Sequence, residues 1–448
     1  MMRLNMNNNR ILLTLGIVFA MCIFANSVFA ENTVIKAGVE KDGFTLENCI
    51  EMAVENNPKI KASLSQTRAA EAQIGQTKST YFPRLSASTG IRRINNTVDN
   101  SIPDNSRNNF NAATISLNQQ LYDFGKTKLS TNIKTLNFDY SNEDLRNVTR
   151  EVKYNVKTAY YYLLYTLLER DVVQNSVNLY EEQLKRAKAF YAIGTKPKID
   201  ITIADVNLSS SKFDLIKAQN DVKVAYAQLN NAIGVPEQTD FLLKDKLTFP
   251  KYNITFDKLM DIAYKSRNDL KKAKLSSEIS AKKINLAKKD YMPTLYSVNS
   301  YNLGGRTYAQ DNGWSAGIAL DLPFTNNYLI RKNIEEAKAN LDVNVYNESN
   351  IRNDAYLQVK KAYIDYYQLT TQIPVAEVSL RQARENFYLS KGRYNAGLAN
   401  PIELKEAEVA YRSARLDYFK TLYDYNKAIA TIENVINAEL GQEFAEKI

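Results

Sequence analysis

The chain has 448 residues, 44% of them hydrophobic, a formal net charge of +9, two cysteines and no histidine. Without an imidazole, a Cys/His zinc site, a Ser-His-Asp triad and a Cys-His dyad are all excluded. Charges of both signs are interspersed, so the mild positive excess describes a solvated surface and does not require nucleic acid.

The first segment reads as a leader. Arg3 and Arg10 flank a short basic start, Ile11–Phe24 is an apolar run, and Val28-Phe29-Ala30 is a small-residue exit. That order predicts a secretory signal peptide, 1–30, cut after Ala30. Cys22 lies inside it without the small-residue box of a lipidated cysteine, so no lipid anchor is expected. Cleavage leaves Cys49 alone, and no internal disulfide can form. Beyond Ala30 no apolar stretch approaches the roughly 20 residues of a spanning helix. A β-barrel stays open, because its strands need only about 9–11 residues with alternate apolar positions.

The rest is one unit written twice. Ala53–Leu85 corresponds to Ala263–Leu295 at a constant offset, with Tyr81-Phe82-Pro83-Arg84-Leu85 matching Tyr291-Met292-Pro293-Thr294-Leu295. A shorter constant offset then relates Val156-Lys157-Thr158-Ala159-Tyr160 to Val359-Lys360-Lys361-Ala362-Tyr363, and Tyr191-Ala192-Ile193-Gly194 to Tyr394-Asn395-Ala396-Gly397. The change of offset falls between Leu85 and Ala113, where an exposed hairpin turn tolerates insertion best. These limits predict a first repeat at 31–236, a linker at 237–255, a second repeat at 256–437 and a tail at 438–448.

Within each repeat a helix of about 20 residues leads to Pro83 or Pro293, and a strand pair follows. Trp314, Ala316, Ile318, Leu320, Leu322 and Phe324 alternate with Ser315, Gly317, Ala319, Asp321 and Pro323. This is the period of a strand with one apolar face. Ala113, Ile115 and Leu117 repeat it more weakly against Thr114, Ser116 and Asn118. Such hairpins need partners to close their edges.

From Lys126 to Ile193 there is no proline and no glycine. The stretch predicts one helix of about 100 Å at ~1.5 Å per residue. Its apolar spacing becomes heptad-like at Val177, Tyr180, Leu184, Ala187 and Tyr191. Gly194 and Pro197 interrupt it, and the return runs Ala204, Leu208, Ser211, Leu215, Ala218, Val222, Ala225 and Leu229 in steps of three and four. Leu380, Ala383, Phe387, Ser390 and Tyr394, then Leu404, Ala407, Tyr411, Ala414 and Tyr418, repeat that register. Strict 3–4 spacing predicts antiparallel coiled-coil hairpins, with tips at Gly194–Lys198 and Gly397–Pro401. Pro374 falls inside the second long helix, where a kink or break is expected.

The duplicated order of helix, strand pair, very long helix, glycine turn and return helix resembles the TolC-type outer-membrane efflux proteins. The resemblance covers essentially the whole mature chain. It is carried by Leu46 to Pro58, by the Tyr81–Leu85 motif, by Leu121-Tyr122-Asp123-Phe124-Gly125-Lys126, and by the tips Gly194-Thr195-Lys196-Pro197-Lys198-Ile199-Asp200 and Gly397-Leu398-Ala399-Asn400-Pro401-Ile402-Glu403. It implies a mainly α fold with a small β-barrel portion. Three chains give a twelve-stranded barrel in outer-membrane lipid and an α-helical tunnel through the periplasm. Its implied partners are a periplasmic adaptor and an inner-membrane pump, and it implies neither catalysis nor a cofactor.

At the tips the resemblance implies a periplasmic gate from Glu403 and Glu406, with Asp200 at the corresponding step of the first tip and Ile203 where a second acid would stand. Tyr394 matches a tyrosine that helps hold the family's closed state. A helix dipole alone also favours acids at those positions. Gly194, Thr195, Gly397, Leu398 and Ala399 are the expected adaptor-docking tips. Two rival readings are a periplasmic coiled-coil adaptor or scaffold without a barrel, and an exported enzyme. Gly125-Lys126-Thr127 lacks the first glycine of a phosphate loop, Asp123-Phe124-Gly125 lacks the remaining kinase motifs, and Glu335-Glu336 reads as a wet helix face.

Overall fold

A computed structural model describes residues 43–95, 107–235, 242–305, 311–323 and 327–441. The architecture belongs to one unit, Phe44–Ile448. The predicted leader, the turn of the first strand pair, Phe324 and the last residues of the tail lie outside the described residues.

The first repeat runs α1 (Leu46–Asn56), α2 (Pro58–Lys78), β1 (Arg84–Asn95), β2 (Arg107–Tyr122), α3 (Lys126–Ala192) and α4 (Lys198–Ile233). The second runs α5 (Phe256–Ser266), α6 (Asn268–Lys288), β3 (Thr294–Gly305), β4 (Asp311–Asp321), α7 (Asn327–Asn395) and α8 (Pro401–Ile436). Local chemistry sets several starts. Thr45 and Asn48 exchange hydrogen bonds in a capping box before α1. Asn57 and Asn400 cap α2 and α8, with Pro58 and Pro401 at the first helical position.

The helices α3 and α7 have 67 and 69 residues, on the order of 100 Å each. Each folds back on its return helix, α3 on α4 and α7 on α8. In the return helices most of the predicted seam is buried, Ala204, Leu208, Ser211, Ala218, Val222, Ala225 and Leu229 on one and Leu404, Ala407 and Ala414 on the other, while Leu215, Tyr411 and Tyr418 are half-buried. Of the kink or break expected at Pro374, the break is not there: α7 runs through it without interruption. Pro374 is exposed, and Thr370, whose carbonyl loses its N–H donor, is half-buried.

α3 also packs on α2, α6 and α8, and α7 packs on α6. The short helices end where the return helices end. Asn57 Nδ2 donates to Ala232 O at 2.8 Å, and Asn437 Nδ2 donates to Ser266 O at 2.7 Å. Each return helix thereby abuts a short helix, α4 on α1 and α8 on α5.

Two matching cores lie at this level. One gathers Cys49, Ala53, Val156, Tyr160, Leu229 and Ile233; the other gathers Leu259, Ala263, Val359, Tyr366, Ile432 and Ile436. Residues 242–255 strap the same face of the helix layer. Tyr160 donates to Asp245 Oδ2 at 2.7 Å, Tyr366 to Tyr252 O at 2.9 Å, and Asn426 to Thr248 O at 2.9 Å. Burial pushes the Cys49 thiol up to about 12, with Asp245 adding to it, so this cysteine is an inert core residue.

The corner between β2 and α3 turns on Asp123. Phe124 and Gly125 are both left-handed, at φ 52° and 79°. The Asp123 carboxylate accepts from Gly125 N–H at 3.0 Å, Thr127 N–H at 2.6 Å and Gln120 Nε2 at 2.9 Å. Burial alone raises its pKa, but the bonds from Thr127, Gly125 and Gln120 outweigh it and hold the group below the usual carboxylate value. Its stabilisation is therefore present above about pH 4 and lost as pH falls through the depressed folded value. Asp123→Ala is expected to cost about 1–3 kcal/mol at pH 7 and distinctly less at pH 3, as read by urea unfolding. An equal gap at both pH values would contradict this.

Candidate functional site

The four strands form one antiparallel sheet in the order β1-β2-β3-β4. Their 12, 16, 12 and 11 residues meet the length of strands that cross a bilayer. Directly opposed residues share a face. The register puts Leu85 opposite Leu117, Ala87 opposite Ile115, Ile115 opposite Tyr301 and Tyr301 opposite Trp314, with Ala316, Ile318 and Leu320 following on β4. Leu85, Ile91, Trp314 and Ile318 are 70–78% exposed. Large apolar side chains laid out in a band of this kind mark a surface that something apolar covers.

The opposite face carries Ser86, Ser88, Thr114, Ser116, Asn302 and Ser315. Thr114 Oγ1 bonds Asn302 Oδ1 at 2.9 Å, and Ser300 bonds Ser315 at 2.9 Å. This is the pattern of a barrel wall, apolar toward lipid and polar toward water. β3 departs from it, because Ser297 and Asn299 fall on the apolar face. Asn299 satisfies itself with Leu117 O at 3.2 Å and Ser297 Oγ at 3.0 Å. Exposed Tyr81, Phe82, Tyr122, Phe124 and Tyr328 gather at the helix end of the sheet, where an aromatic belt meets a membrane–water boundary. Among the described residues β1 and β4 are the outer strands, each paired on one side, and an open sheet edge cannot sit in lipid.

At the far ends of α3 and α7 the tips turn through Gly194 and Gly397, at φ +73° and +76°. Thr195 closes the first turn, its Oγ1 donating to Phe190 O at 2.9 Å. Leu398 is 74% exposed at the second tip, whereas Ala399 packs on Phe387, Tyr394 and Leu404.

The residues singled out at the gate divide into two groups. Tyr394 is buried, its phenol held above the ordinary value by burial and by nearby Asp200. Lys196 joins them, 5.4 Å from the Tyr394 ring centre and 3.8 Å from Asp200 Oδ2. Asn400 caps the start of α8 by accepting from the Glu403 N–H at 2.8 Å, and the Glu403 carboxylate lies 3.6 Å from Arg393 Nε. Glu406 is exposed one turn on.

Glu408 is a further member of this region that sequence reasoning missed. It is 3% exposed, accepting from Ser176 at 2.5 Å and Tyr180 at 2.6 Å. The bonds tie α8 of one hairpin to α3 of the other. Its signal was thin: a carboxylate beside seam residue Ala407 reads as a wet flank until the facing helix is known. Among the described residues no cluster of His, Cys, Asp or Glu is arranged to hold a metal ion.

Comparison with known proteins agrees with this geometry. The profile of the family described as outer membrane efflux protein matches residues 49–235 and 259–438. The outer membrane efflux protein BepC of Brucella suis is 25% identical over 233 residues, 52% of this chain and 48% of BepC. The outer membrane protein TolC of Escherichia coli is 24% identical over 200 residues, 43% of this chain and 40% of TolC. In these alignments the chain thus spans about half the length of its curated relatives or less. The Campylobacter jejuni CmeC outer membrane channel superposes with a TM-score of 0.73 at 17% identity, over 90% of this chain and 87% of that one. The open Neisseria gonorrhoeae MtrE outer membrane channel gives 0.73 at 17% identity, over 89% and 90%. At such identities the structures speak to fold. With both repeats covered by the profile and the sheet two-faced, the chain belongs to the outer membrane efflux protein family, whose members are channel proteins of the outer membrane.

Proposed function

We propose that three copies of the chain close their sheets into one barrel and their helix layers into one tunnel. The assembly is a passive exit duct from the periplasm to the outside, serving a tripartite efflux or type I secretion system. The observation that carries this reading is the two-faced sheet with β1 and β4 as its outer strands, continuous with a helix layer on the order of 100 Å long. A scaffold without a barrel has no use for an exposed apolar band. In this reading 1–30 is removed, 31–236 and 256–437 are the structural repeats, 237–255 is the strap and 438–448 the tail. Heat-modifiable trimers in outer-membrane fractions are the expected result; a monomer released with the periplasm opposes it.

The tips are the docking end. Gly194, Thr195, Gly397, Leu398 and Ala399 meet the adaptor, Leu398 offering exposed apolar surface and the glycines the tight turns. Three copies of Glu403 and Glu406 form an acidic ring at the mouth, with Asp200 and Tyr394 behind it. Such a ring attracts cations and rejects anions. Arg393 partly neutralises Glu403, so Glu406 carries more of the field. Glu406→Ala is expected to reduce cation preference and block by multivalent cations several-fold, and Glu403→Ala less. Unchanged selectivity of the double variant in single-channel recordings removes the ring.

A further inference from the structure

The strap and its cores cover one face of the helix layer at mid-height. At 3.6 residues per turn, Tyr162 and Tyr423 stand about 200° round from Tyr160 and Tyr425, which point into those cores. Tyr165 and Tyr423 therefore lie on the other face, and Tyr162 stands at its edge, one side of its ring packed against the first core. If the chain forms a duct, the strap must be outside and this face lines the bore; the inference rests on that reading.

There the rings make a cluster. Tyr165 stacks on Tyr423 with centroids 5.6 Å apart and planes at 29°, and Tyr162 stands 5.9 Å from Tyr423. Beside them opens a groove of about 420 Å³ lined by Tyr154, Thr158, Tyr162, Gln228, Tyr423 and Lys427. It is a shallow, open groove with half-buried tyrosines, exposed Gln228 and Lys427, and hydroxyls at the edges.

The charges around it decide the class of ligand. Glu169 is bonded by the Tyr165 hydroxyl, and both Glu169 and Asp424 are raised from their ordinary values, chiefly by burial. Asp221 pushes Glu169 further up, and Lys217, Lys420 and Lys427 only partly offset these effects. A carboxylate in that condition is stabilised by added positive charge. Lys427 shows how a cation sits here, its ammonium 5.9 Å from the Tyr423 ring centre.

We propose that the Tyr162, Tyr165 and Tyr423 cluster, with Glu169 and Asp424, is a binding site on the bore wall for planar organic cations, repeated in each copy. A flat cation slides along the rings in place of the Lys427 ammonium, and its charge meets the two carboxylates. The site holds a passing compound at mid-height, short of the barrel.

Ethidium is a suitable probe because binding is read by fluorescence anisotropy on purified trimers in detergent, with protein-free micelles as blank. The paired change Tyr165→Leu and Tyr423→Leu is expected to weaken ethidium about tenfold or more, while the paired change to Phe stays within about threefold. Lys427→Gln removes the internal competitor and tightens binding severalfold. Fluorescein, flat but anionic, binds at least tenfold more weakly than ethidium. Unchanged affinity in the Leu pair, or fluorescein binding as tightly as ethidium, overturns the site. Should the Leu pair fail to assemble into trimers, Lys427→Gln decides: tighter ethidium supports the site, and unchanged or weaker ethidium overturns it. Binding in detergent needs no conduction. A conducting trimer that ignores ethidium sinks only the site, and a non-conducting one that binds it sinks only the duct.

Discussion

Gly234→Ala is expected to destabilise the protein by about 3 kcal/mol or more, the largest effect of any single-methyl change at a turn. Two costs add at this position. Gly234 has φ +87°, which disfavours any L side chain by roughly 1–2 kcal/mol. A Cβ there also meets Asn57 Cα at 2.8 Å and Pro58 Cδ at 2.9 Å, and such overpacking costs about 1–3 kcal/mol more. The contact is where the end of α4 meets the junction of α1 and α2 at Asn57, so the neighbour that must yield is backbone. Gly194→Ala isolates the first cost, because Gly194 has φ +73° and nothing within 4 Å of its Cβ position; roughly 1–2 kcal/mol is expected there. Asn437 fills the equivalent place in the second repeat at φ 54°. Even so, Gly234→Asn fails like Gly234→Ala, since the approach of Asn57 leaves no room for any Cβ. Urea midpoints of the three variants test this, and a Gly234→Ala midpoint equal to that of Gly194→Ala would falsify the steric account.

Ile318→Lys is expected to reduce assembled trimers in the outer membrane more than tenfold, while Ser315→Lys stays within about twofold. Ile318 is 73% exposed on the apolar face of β4. A lysine on the lipid face costs about 2–4 kcal/mol near the bilayer midplane, and a trimer carries it three times. Ser315 lies on the opposite face against Ser300, where a charge stays in water and changes ion selectivity instead. Heat-modifiable trimers counted on gels separate the two. The reverse order would mean that the faces of the sheet have been assigned the wrong way round.

Much of this architecture was legible because the chain repeats itself. The repeat places Leu46–Asn56 against Phe256–Ser266 and Lys198–Ile233 against Pro401–Ile436, and the helices begin and end there in both halves. Heptad spacing found the seams because packing alone decides those positions. It did not find Glu408, since the burial of a carboxylate beside a seam depends on Ser176 and Tyr180 arriving from another hairpin. Pro374 misled for the converse reason. A proline need not end a helix that neighbours hold along its length, and α7 is held in that way by α6 and α8. The faces of β3 were hidden because Asn299 satisfies its own polar groups within the sheet. The tips were placed by glycine, but the grouping of Lys196, Asp200 and Tyr394 depends on how the two hairpins lie together.

Current across a planar bilayer, recorded after adding the purified protein without its leader, tests the central claim most directly. Stable ohmic steps of uniform size, from a species that migrates as a trimer until boiled, are the predicted result. A monomeric, water-soluble product that leaves the bilayer silent would contradict it.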